Sequence, residues 1–270
     1  MYTPRNYFTS ATEQRRALEA LGDFFQAAEL DLYDASVRAF PPLAVAAAAN
    51  EVGTLAQSAS VDEAYRCFWR IYDELVSNRA PSYWNVCRPS GPAKCWRPQK
   101  IFETIKGQFA EYPWDGKINL TSFGEAEAPR LQLRLETMQD IKRNQGYPIM
   151  IVSKFLHFYN PALFPIYDTG VIYNKVLKGY WRSDFRDFCT DKGLRYGVFM
   201  ERDTIDFLPA YMLWASSLLS AAHGSFMQVF TDWLAEQPVA DLSRRKFDAT
   251  TLYARAFEYT AVGAAKAEGW

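Results

Sequence analysis

The chain has 270 residues, of which 49% are hydrophobic and 16% aromatic, so it can bury a large core as one domain or as two closely packed subdomains. Its formal net charge of -1 excludes a global positive field that would attract nucleic acid, and any affinity for DNA must come from a local patch of cations. No apolar run reaches membrane-spanning length and no segment resembles a signal peptide, which predicts a cytoplasmic protein without membrane contact.

The first third of the chain shows helical patterns. Apolar residues recur at helical spacing over residues 11–32, and a second helix is predicted before Phe40. Residues 61–76 place five large side chains on one side of a helix: Tyr65, Phe68, Trp69, Tyr72 and Leu75. A stripe of this kind is more typical of the core than of a binding pocket, so these helices are expected to pack together.

The segment 77–99 differs in kind from the helices before it. It combines four prolines and one glycine with aromatic residues and cations, namely Tyr83, Trp84, Trp96, Arg79, Arg88, Lys94 and Arg97. A long loop is usually functional or disordered, and the aromatic residues argue against disorder. Cations beside aromatic rings suit a nucleic-acid surface, where charges meet phosphates and rings stack on bases. The alternative is a loop that its tryptophans pin to the core.

A change in composition marks the predicted boundary between two subdomains. Residues 117–129 are acidic and loop-like, whereas residues 131–141 carry apolar side chains at helical spacing. The predicted division is an N-terminal helical subdomain, residues 1–125, which includes the loop 77–99, and a second helical subdomain, residues 126–270.

A helix, a tight turn and a second helix are predicted in the middle of the chain. The first helix ends near Gly146, with cations in its last turn, and Pro148 suits the first position of the next helix. This second helical pattern stops before Pro161. The apolar run 164–167 then leads to a single carboxylate, Asp168.

Asp168 stands where a helix N-cap is expected. Thr169 and Gly170 follow it, and the apolar spacing predicts a helix over residues 169–178. In one interpretation the side chain only caps this helix. In the other, its apolar neighbours place the carboxyl at a partly buried helix start, where the helix dipole favours the ionised form.

The remainder of the chain is predicted to be helical. The spacing of apolar residues predicts helices at residues 185–189, 204–222, 225–235 and 250–266. No strand pattern, repeat or low-complexity tract interrupts this series. The predicted fold class is therefore all-α.

The stretch around Asp168 resembles the helix-hairpin-helix superfamily of DNA glycosylases, which excise damaged or modified bases. Residues 146–148, Gly-Tyr-Pro, take the position of the hairpin, and residues 164–171, FPIYDTGV, take the position of the catalytic aspartate. The wording SKFLHFYNPALFPIYD, residues 153–168, is similar to a prokaryotic branch related to oxoguanine glycosylases, some members of which sit among anti-phage genes. The resemblance covers about a tenth of the chain.

The resemblance implies two helical subdomains with a helix-hairpin-helix element and a cleft between them, and a catalytic role for Asp168. Bifunctional members carry a lysine just after the hairpin glycines, whereas this chain has Ile149 and Met150 there. A monofunctional enzyme is therefore expected, in which water attacks the sugar, the N-glycosidic bond is hydrolysed and an abasic site remains.

The hairpin is expected to bind the DNA backbone. The resemblance implies phosphate contacts from the backbone of Gly146 and Tyr147, with Lys142 and Arg143 adding positive charge. Pro148 replaces the second glycine of the hairpin and has no N–H to offer a phosphate, so the contact there is expected to be weaker or built differently.

Contacts to the extruded base are expected from two segments. The candidate substrate-binding residues are Trp84, Asn85, Lys154, His157 and Tyr167. The loop 77–99 is expected to form the wall of the base pocket or the wedge that enters the duplex, with Arg88 and Trp96 against the DNA. Lys154 and His157 share one helix face. Their alternative roles are a solvated surface cation and a histidine satisfied within the core.

No metal or cofactor is expected. Cys67, Cys87, Cys95 and Cys189 do not have the spacing of a zinc site, and only the last of them follows Asp168. Some members of the superfamily bind an iron–sulfur cluster through four cysteines after the catalytic aspartate, so the resemblance implies no cluster here. Reduced thiols of the cytosol are the expectation.

Three classes of function follow from the sequence. The first is a monomeric glycosylase acting on double-stranded DNA, with phage DNA as one source of substrate and a modified cytosine or an oxidised purine as the candidate base. The second is a helix-hairpin-helix module that binds DNA without chemistry. The third is an all-α scaffold for protein interactions, which the net charge of -1 mildly favours.

Overall fold

The structure of the chain is a computed structural model. It describes residues 5–21, 118–137, 152–153, 156–157, 160, 162–167, 169–196, 207–236 and 253–270, with the backbone alone at 169–171. Every regular element within these ranges is helical and none is a strand, which confirms the all-α prediction. None of the described helices is long and apolar enough to span a membrane.

The described elements are eight helices and one short 3-10 helix. In chain order they are α1, Asn6–Thr9; α2, Ala11–Ala20; the 3-10 helix, Leu120–Ser122; α3, Glu127–Glu136; α4, Thr169–Tyr180; α5, Arg182–Asp191; α6, Phe207–Ser220; α7, Phe226–Ala235; and α8, Tyr253–Ala267. The residues described at 152–153 and 156–157 are also helical. The sequence pattern thus located α4 to α8 correctly, and the helix ends differ from the predicted ones by a few residues.

Helix α4 differs from the other helices in its winding. It is a π-helix whose backbone departs from helical geometry at Gly179, with φ of -92° and ψ of -118°. The predicted end at this glycine is therefore a kink, after which α5 starts within three residues. A β-carbon on Gly179 would lie 2.8 Å from Cε3 of Trp270, so the glycine allows the indole ring to approach the kink.

Residues 118–129 are more regular than the loop that is predicted over residues 117–129. The side chain of Asn119 accepts hydrogen bonds from the backbone N–H groups of Thr121 and Ser122, at 3.0 and 3.3 Å, and so starts the 3-10 helix. Helix α3 then begins at Glu127, before the predicted start. The loop prediction failed here because short capping interactions leave no periodic pattern in a sequence.

Among the described residues, the buried apolar side chains form one cluster, to which α6 contributes the largest share. This helix is apolar on almost all sides, which is typical of a helix packed within a core. Its Trp214 meets the rings of Trp181, Phe185 and Phe257 at centroid distances of 5.5 to 5.7 Å. Both buried indole N–H groups are satisfied: Trp214 donates to Asp184 and Trp181 donates to the carbonyl of Ala261, each at 2.8 Å.

Helices α2 and α8 belong to the same core although they are far apart in sequence. Their backbones approach closely at Gly263, where a β-carbon would lie 2.1 Å from the carbonyl oxygen of Ala17. The described N-terminal residues therefore pack against the C-terminal helix. The division at residues 125 and 126 stays a prediction, because most of residues 22–125 lie outside the described ranges.

Replacing Gly263 by alanine tests this close approach. The clash with the backbone of α2 is expected to lower the free energy of unfolding by about 3 kcal/mol. It should outweigh the gain in helix propensity, about 1 kcal/mol. Denaturant unfolding measures the change. The control is Gly224→Ala, since a β-carbon there meets no atom within 4 Å. Equal stabilities of the two variants would contradict the packing.

Candidate functional site

The segment directly before Asp168 is buried. All six residues of 162–167 are shielded from solvent, and they connect the helical residues at 156–157 with the start of α4. Buried backbone N–H and C=O groups have to be paired, and a segment outside a regular helix or strand finds its partners in turns, side chains and other backbone segments. The partners of 162–167 are a local turn and groups from other parts of the chain.

The first half of this segment is held by nearby backbone groups. The carbonyl of Asn160 accepts hydrogen bonds from the N–H groups of Leu163 and Phe164, both at 3.1 Å. The carbonyl of Ala162 accepts the N–H of Leu120 at 2.9 Å. The 3-10 helix Leu120–Ser122 thus also holds the turn that leads into residues 164–167.

Three buried side chains hold residues 164–167. Nδ1 of His157 lies 2.6 Å from the carbonyl oxygen of Phe164. The hydroxyl of Ser153 accepts the N–H of Tyr167 at 3.0 Å and lies 3.3 Å from the carbonyl oxygen of the same residue. The carboxylate of Glu258, on α8, accepts the N–H of Ile166. Each of these contacts ends within four residues of Asp168.

Glu258 forms a buried ion pair with Arg255. The two side chains are each about 4% to 5% exposed, and Nη1 of Arg255 lies 2.5 Å from Oε2 of Glu258. The guanidinium also lies 5.3 Å from the centre of the Tyr259 ring. Burial raises the pKa of Glu258, while Arg255 and the N–H of Ile166 act in the opposite direction. A buried pair of this kind is sensitive to the loss of either partner.

His157 is a buried, uncharged histidine. Burial, together with the nearby charge of Arg255, lowers its pKa to about 3 from the ordinary 6.5. Because a carbonyl only accepts hydrogen bonds, the proton of the neutral ring resides on Nδ1 and is donated to Phe164. This is the arrangement of a histidine satisfied within the core, and its contact with a base stays a prediction.

Tyr167 belongs to an aromatic cluster between α4 and α6. Its ring centre lies 4.7 Å from that of Phe207 and 6.2 Å from that of Tyr173, and only 1% of the residue is exposed. Of the predicted substrate-binding residues, Tyr167 thus lies within the buried segment 162–167, and His157 contacts this segment at Phe164. The predicted contact of Tyr167 with substrate stays a prediction.

Asp168 and most of the other predicted site residues lie outside the described residues. These are Trp84, Asn85, Arg88, Trp96, Lys142, Arg143, Gly146, Tyr147 and Lys154. The described backbone does show where the next helix starts: α4 begins at Thr169, as the spacing of apolar residues predicted. In sequence, Asp168 is therefore the residue between the anchored Tyr167 and the first residue of α4.

Sequence reasoning missed Ser153, Arg255 and Glu258. A serine in an apolar helical pattern carries no signal of its own. The pair on α8 does: Arg255 and Glu258 stand three residues apart in a helix that is otherwise rich in alanine and aromatic residues. Charged residues are almost never fully buried unless they are paired, so two opposite charges in an apolar helix indicate a buried pair.

The described ranges contain one cysteine and no group of side chains suited to a metal ion. Cys189 is buried as a free thiol, and burial raises its pKa to about 12, which keeps it protonated at neutral pH. No group of three or more His, Cys, Asp or Glu side chains is arranged to hold a metal ion among the described residues. The other three cysteines lie outside them.

Comparisons with known proteins do not add an identification. No protein-family model, no curated protein and no solved structure matches the chain.

The low pKa of His157 predicts how stability depends on pH. The unfolded chain binds a proton near pH 6.5 but the folded chain only near pH 3, so stability should fall as the pH drops through this window. The loss attributable to this group is up to about 1.4 kcal/mol per pH unit. The variant His157→Asn keeps a donor for Phe164 but does not titrate, and its stability should fall less between about pH 7 and pH 4.5.

Denaturant unfolding at the two pH values measures this difference, with His223→Asn as the control. His223 is only partly buried, so replacing it should change the pH dependence less. If the wild-type protein and the His157 variant lose the same stability, the histidine is not buried in its neutral form.

Proposed function

We propose that the chain is a monofunctional DNA glycosylase that turns a modified base out of duplex DNA and hydrolyses its N-glycosidic bond, with Asp168 as the catalytic carboxylate. The observation that carries this proposal is the anchoring of residues 164–167 by Ser153, His157 and Glu258. A catalytic group needs a fixed position, and buried anchors hold the residues directly before Asp168 in sequence. The resemblance of this stretch to the helix-hairpin-helix glycosylases gives Asp168, the next residue in sequence, its proposed chemical role.

The proposed reaction needs one carboxylate and one water molecule. As the base leaves with the electron pair of the C1′–N bond, positive charge builds on the deoxyribose, and the carboxylate of Asp168 stabilises it. Water then forms the new C1′–O bond. Its proton passes to the carboxylate and finally to solvent or the departing base, so the products are a free base and an abasic site.

The start of α4 supports an ionised carboxylate at this position. The helix has twelve residues and begins at Thr169, so the positive end of its dipole lies next to Asp168 in sequence. A negative charge there is favoured, which is the state the reaction requires. The same arrangement fits an N-cap, and capping and catalysis by one side chain are compatible.

The water-using mechanism follows from the residues at the hairpin. Ile149 and Met150 stand where bifunctional relatives carry the lysine that attacks the sugar, so no amine nucleophile is available there. In the proposed complex, Lys142, Arg143 and the 146–148 turn bind the DNA backbone. The loop 77–99 supplies the wedge or the wall of the pocket, and a cleft between two helical subdomains receives the base.

The proposed substrate is double-stranded DNA with a modified base, and the protein acts as a cytoplasmic monomer. A modified cytosine or an oxidised purine is the candidate base, and phage DNA is one source of it. This choice rests on the resemblance of residues 153–168 to a branch with members among anti-phage genes.

The variant Asp168→Asn tests the proposal. Wild-type protein and variant are incubated with a panel of ordinary and modified genomic DNAs, freed bases are identified by mass spectrometry, and abasic sites are detected with an aldehyde-reactive probe. We expect the wild-type protein to release one class of base. The variant should be slower by on the order of 100- to 1,000-fold, because it lacks the charge that stabilises the transition state, yet bind duplex DNA equally well.

The control is Asp187→Asn, which makes the same change on the exposed face of α5. It should leave base release unchanged. Two results would contradict the proposal and favour another class. Duplex binding without release of any base by the wild-type protein indicates a non-catalytic DNA-binding module. Failure to bind any duplex at low salt indicates a protein-interaction scaffold, because phosphate attraction is strongest there.

A further inference from the structure

We propose that Glu258 is a positioning residue for Asp168: its buried carboxylate, oriented by Arg255, accepts the N–H of Ile166 and thereby fixes the chain two residues before the catalytic group. This inference rests on the proposed function of Asp168. It assigns the C-terminal helix α8 a role in the reaction, although α8 lies about 90 residues further along the chain.

The first support is that the N–H group of Ile166 needs a hydrogen-bond acceptor within the protein. Ile166 is buried, so its N–H cannot bond to water, and it follows Pro165, which has no N–H of its own. The carboxylate of Glu258 is the acceptor for this group. An acceptor on a distant helix ties the segment to the core, whereas a local acceptor would move together with the segment.

The second support is that the two carboxylate oxygens of Glu258 accept hydrogen bonds from different donors. Oε1 of Glu258 accepts the N–H of Ile166, and Oε2 accepts Nη1 of Arg255. Two donors on different oxygens fix both the position and the rotation of the carboxyl plane. Arg255 stands one helical turn away on α8, so the backbone of that helix sets the direction from which the segment is held.

The third support is that the two neighbouring anchors bind Phe164 and Tyr167, whereas Glu258 binds Ile166. His157 holds the carbonyl of Phe164, and Ser153 holds the N–H of Tyr167. Both anchors belong to the helical residues that precede the buried segment in sequence. Glu258 is the anchor from α8, so it defines how far the segment lies from that helix.

A pair of double variants separates positioning from the ion pair. Arg255→Met with Glu258→Gln removes both charges but keeps an amide oxygen that accepts the N–H of Ile166. Arg255→Met with Glu258→Met removes both charges and the acceptor, with side chains of similar length. Removing both charges of a buried ion pair leaves no uncompensated buried charge, and replacement by residues of similar volume is often close to neutral for stability, so both variants are expected to fold. They differ only in the side chain of residue 258, where glutamine offers an amide oxygen to the N–H of Ile166 and methionine does not.

The readouts are the single-turnover rate of base release at saturating DNA, the dissociation constant for duplex DNA and the thermal unfolding temperature. We expect the Met/Met variant to release base about 10- to 100-fold more slowly than the Met/Gln variant, because small displacements of a catalytic group are costly. DNA affinity should be the same in both variants. Equal rates of base release in the two folded variants would overturn the proposal.

Hydrogen–deuterium exchange tests the anchoring of residues 162–168 directly, without requiring that the protein release a base. In the Met/Met variant, peptides that cover residues 162–168 should exchange faster than in the Met/Gln variant, while α6 stays equally protected. If the wild-type protein releases no base, the proposed function fails and exchange alone decides the anchoring. Equal protection of 162–168 in both variants, or equal loosening of the whole core, would overturn the role of Glu258.

Discussion

The hydrogen bond from the N–H of Ile166 to the carboxylate of Glu258 is the contact on which the described site depends. A buried, irregular segment gains stability only if its polar backbone groups are paired, and an unpaired buried N–H costs about 1–3 kcal/mol. A charged acceptor forms a stronger bond than a neutral one, but it has to be neutralised within the core. Arg255 supplies that positive charge, and the same charge helps to keep His157 neutral. Arg255 thus acts on two of the three side chains that hold residues 164–167: it pairs with Glu258, and it helps to keep His157 uncharged.

Helix α8 links this site to the stability of the whole core. Around Gly263 it packs against α2, and through Glu258 it holds the segment before α4. Trp214 of helix α6 meets rings of both α8 and α5. Because these helices share one apolar cluster, a rigid position for residues 164–167 is a consequence of the core as a whole. A glycosylase would use this rigidity to hold a carboxylate beneath a sugar.

The sequence predicted those parts of the fold that periodicity encodes. The all-α class, the start of α4 at Thr169 and the locations of α5 to α8 all follow from apolar spacing and capping residues. It did not predict the kink at Gly179 or the 3-10 helix at Leu120–Ser122, because both depend on contacts between distant segments and on short caps. The candidate site shows the same limit. Asp168 stood out through a local motif, whereas Ser153 and Glu258 matter only because folding places them beside Tyr167 and Ile166.

The most direct test of this account is the exchange rate of the Ile166 amide proton in the wild-type protein, measured by NMR in deuterated solvent. An N–H that is buried and bonded to Glu258 exchanges only when the core opens, so its protection should approach the global free energy of unfolding and match that of amides in α6. Protection as low as that of the exposed residues at the end of α8 would contradict the account, since the segment before Asp168 would then not be anchored.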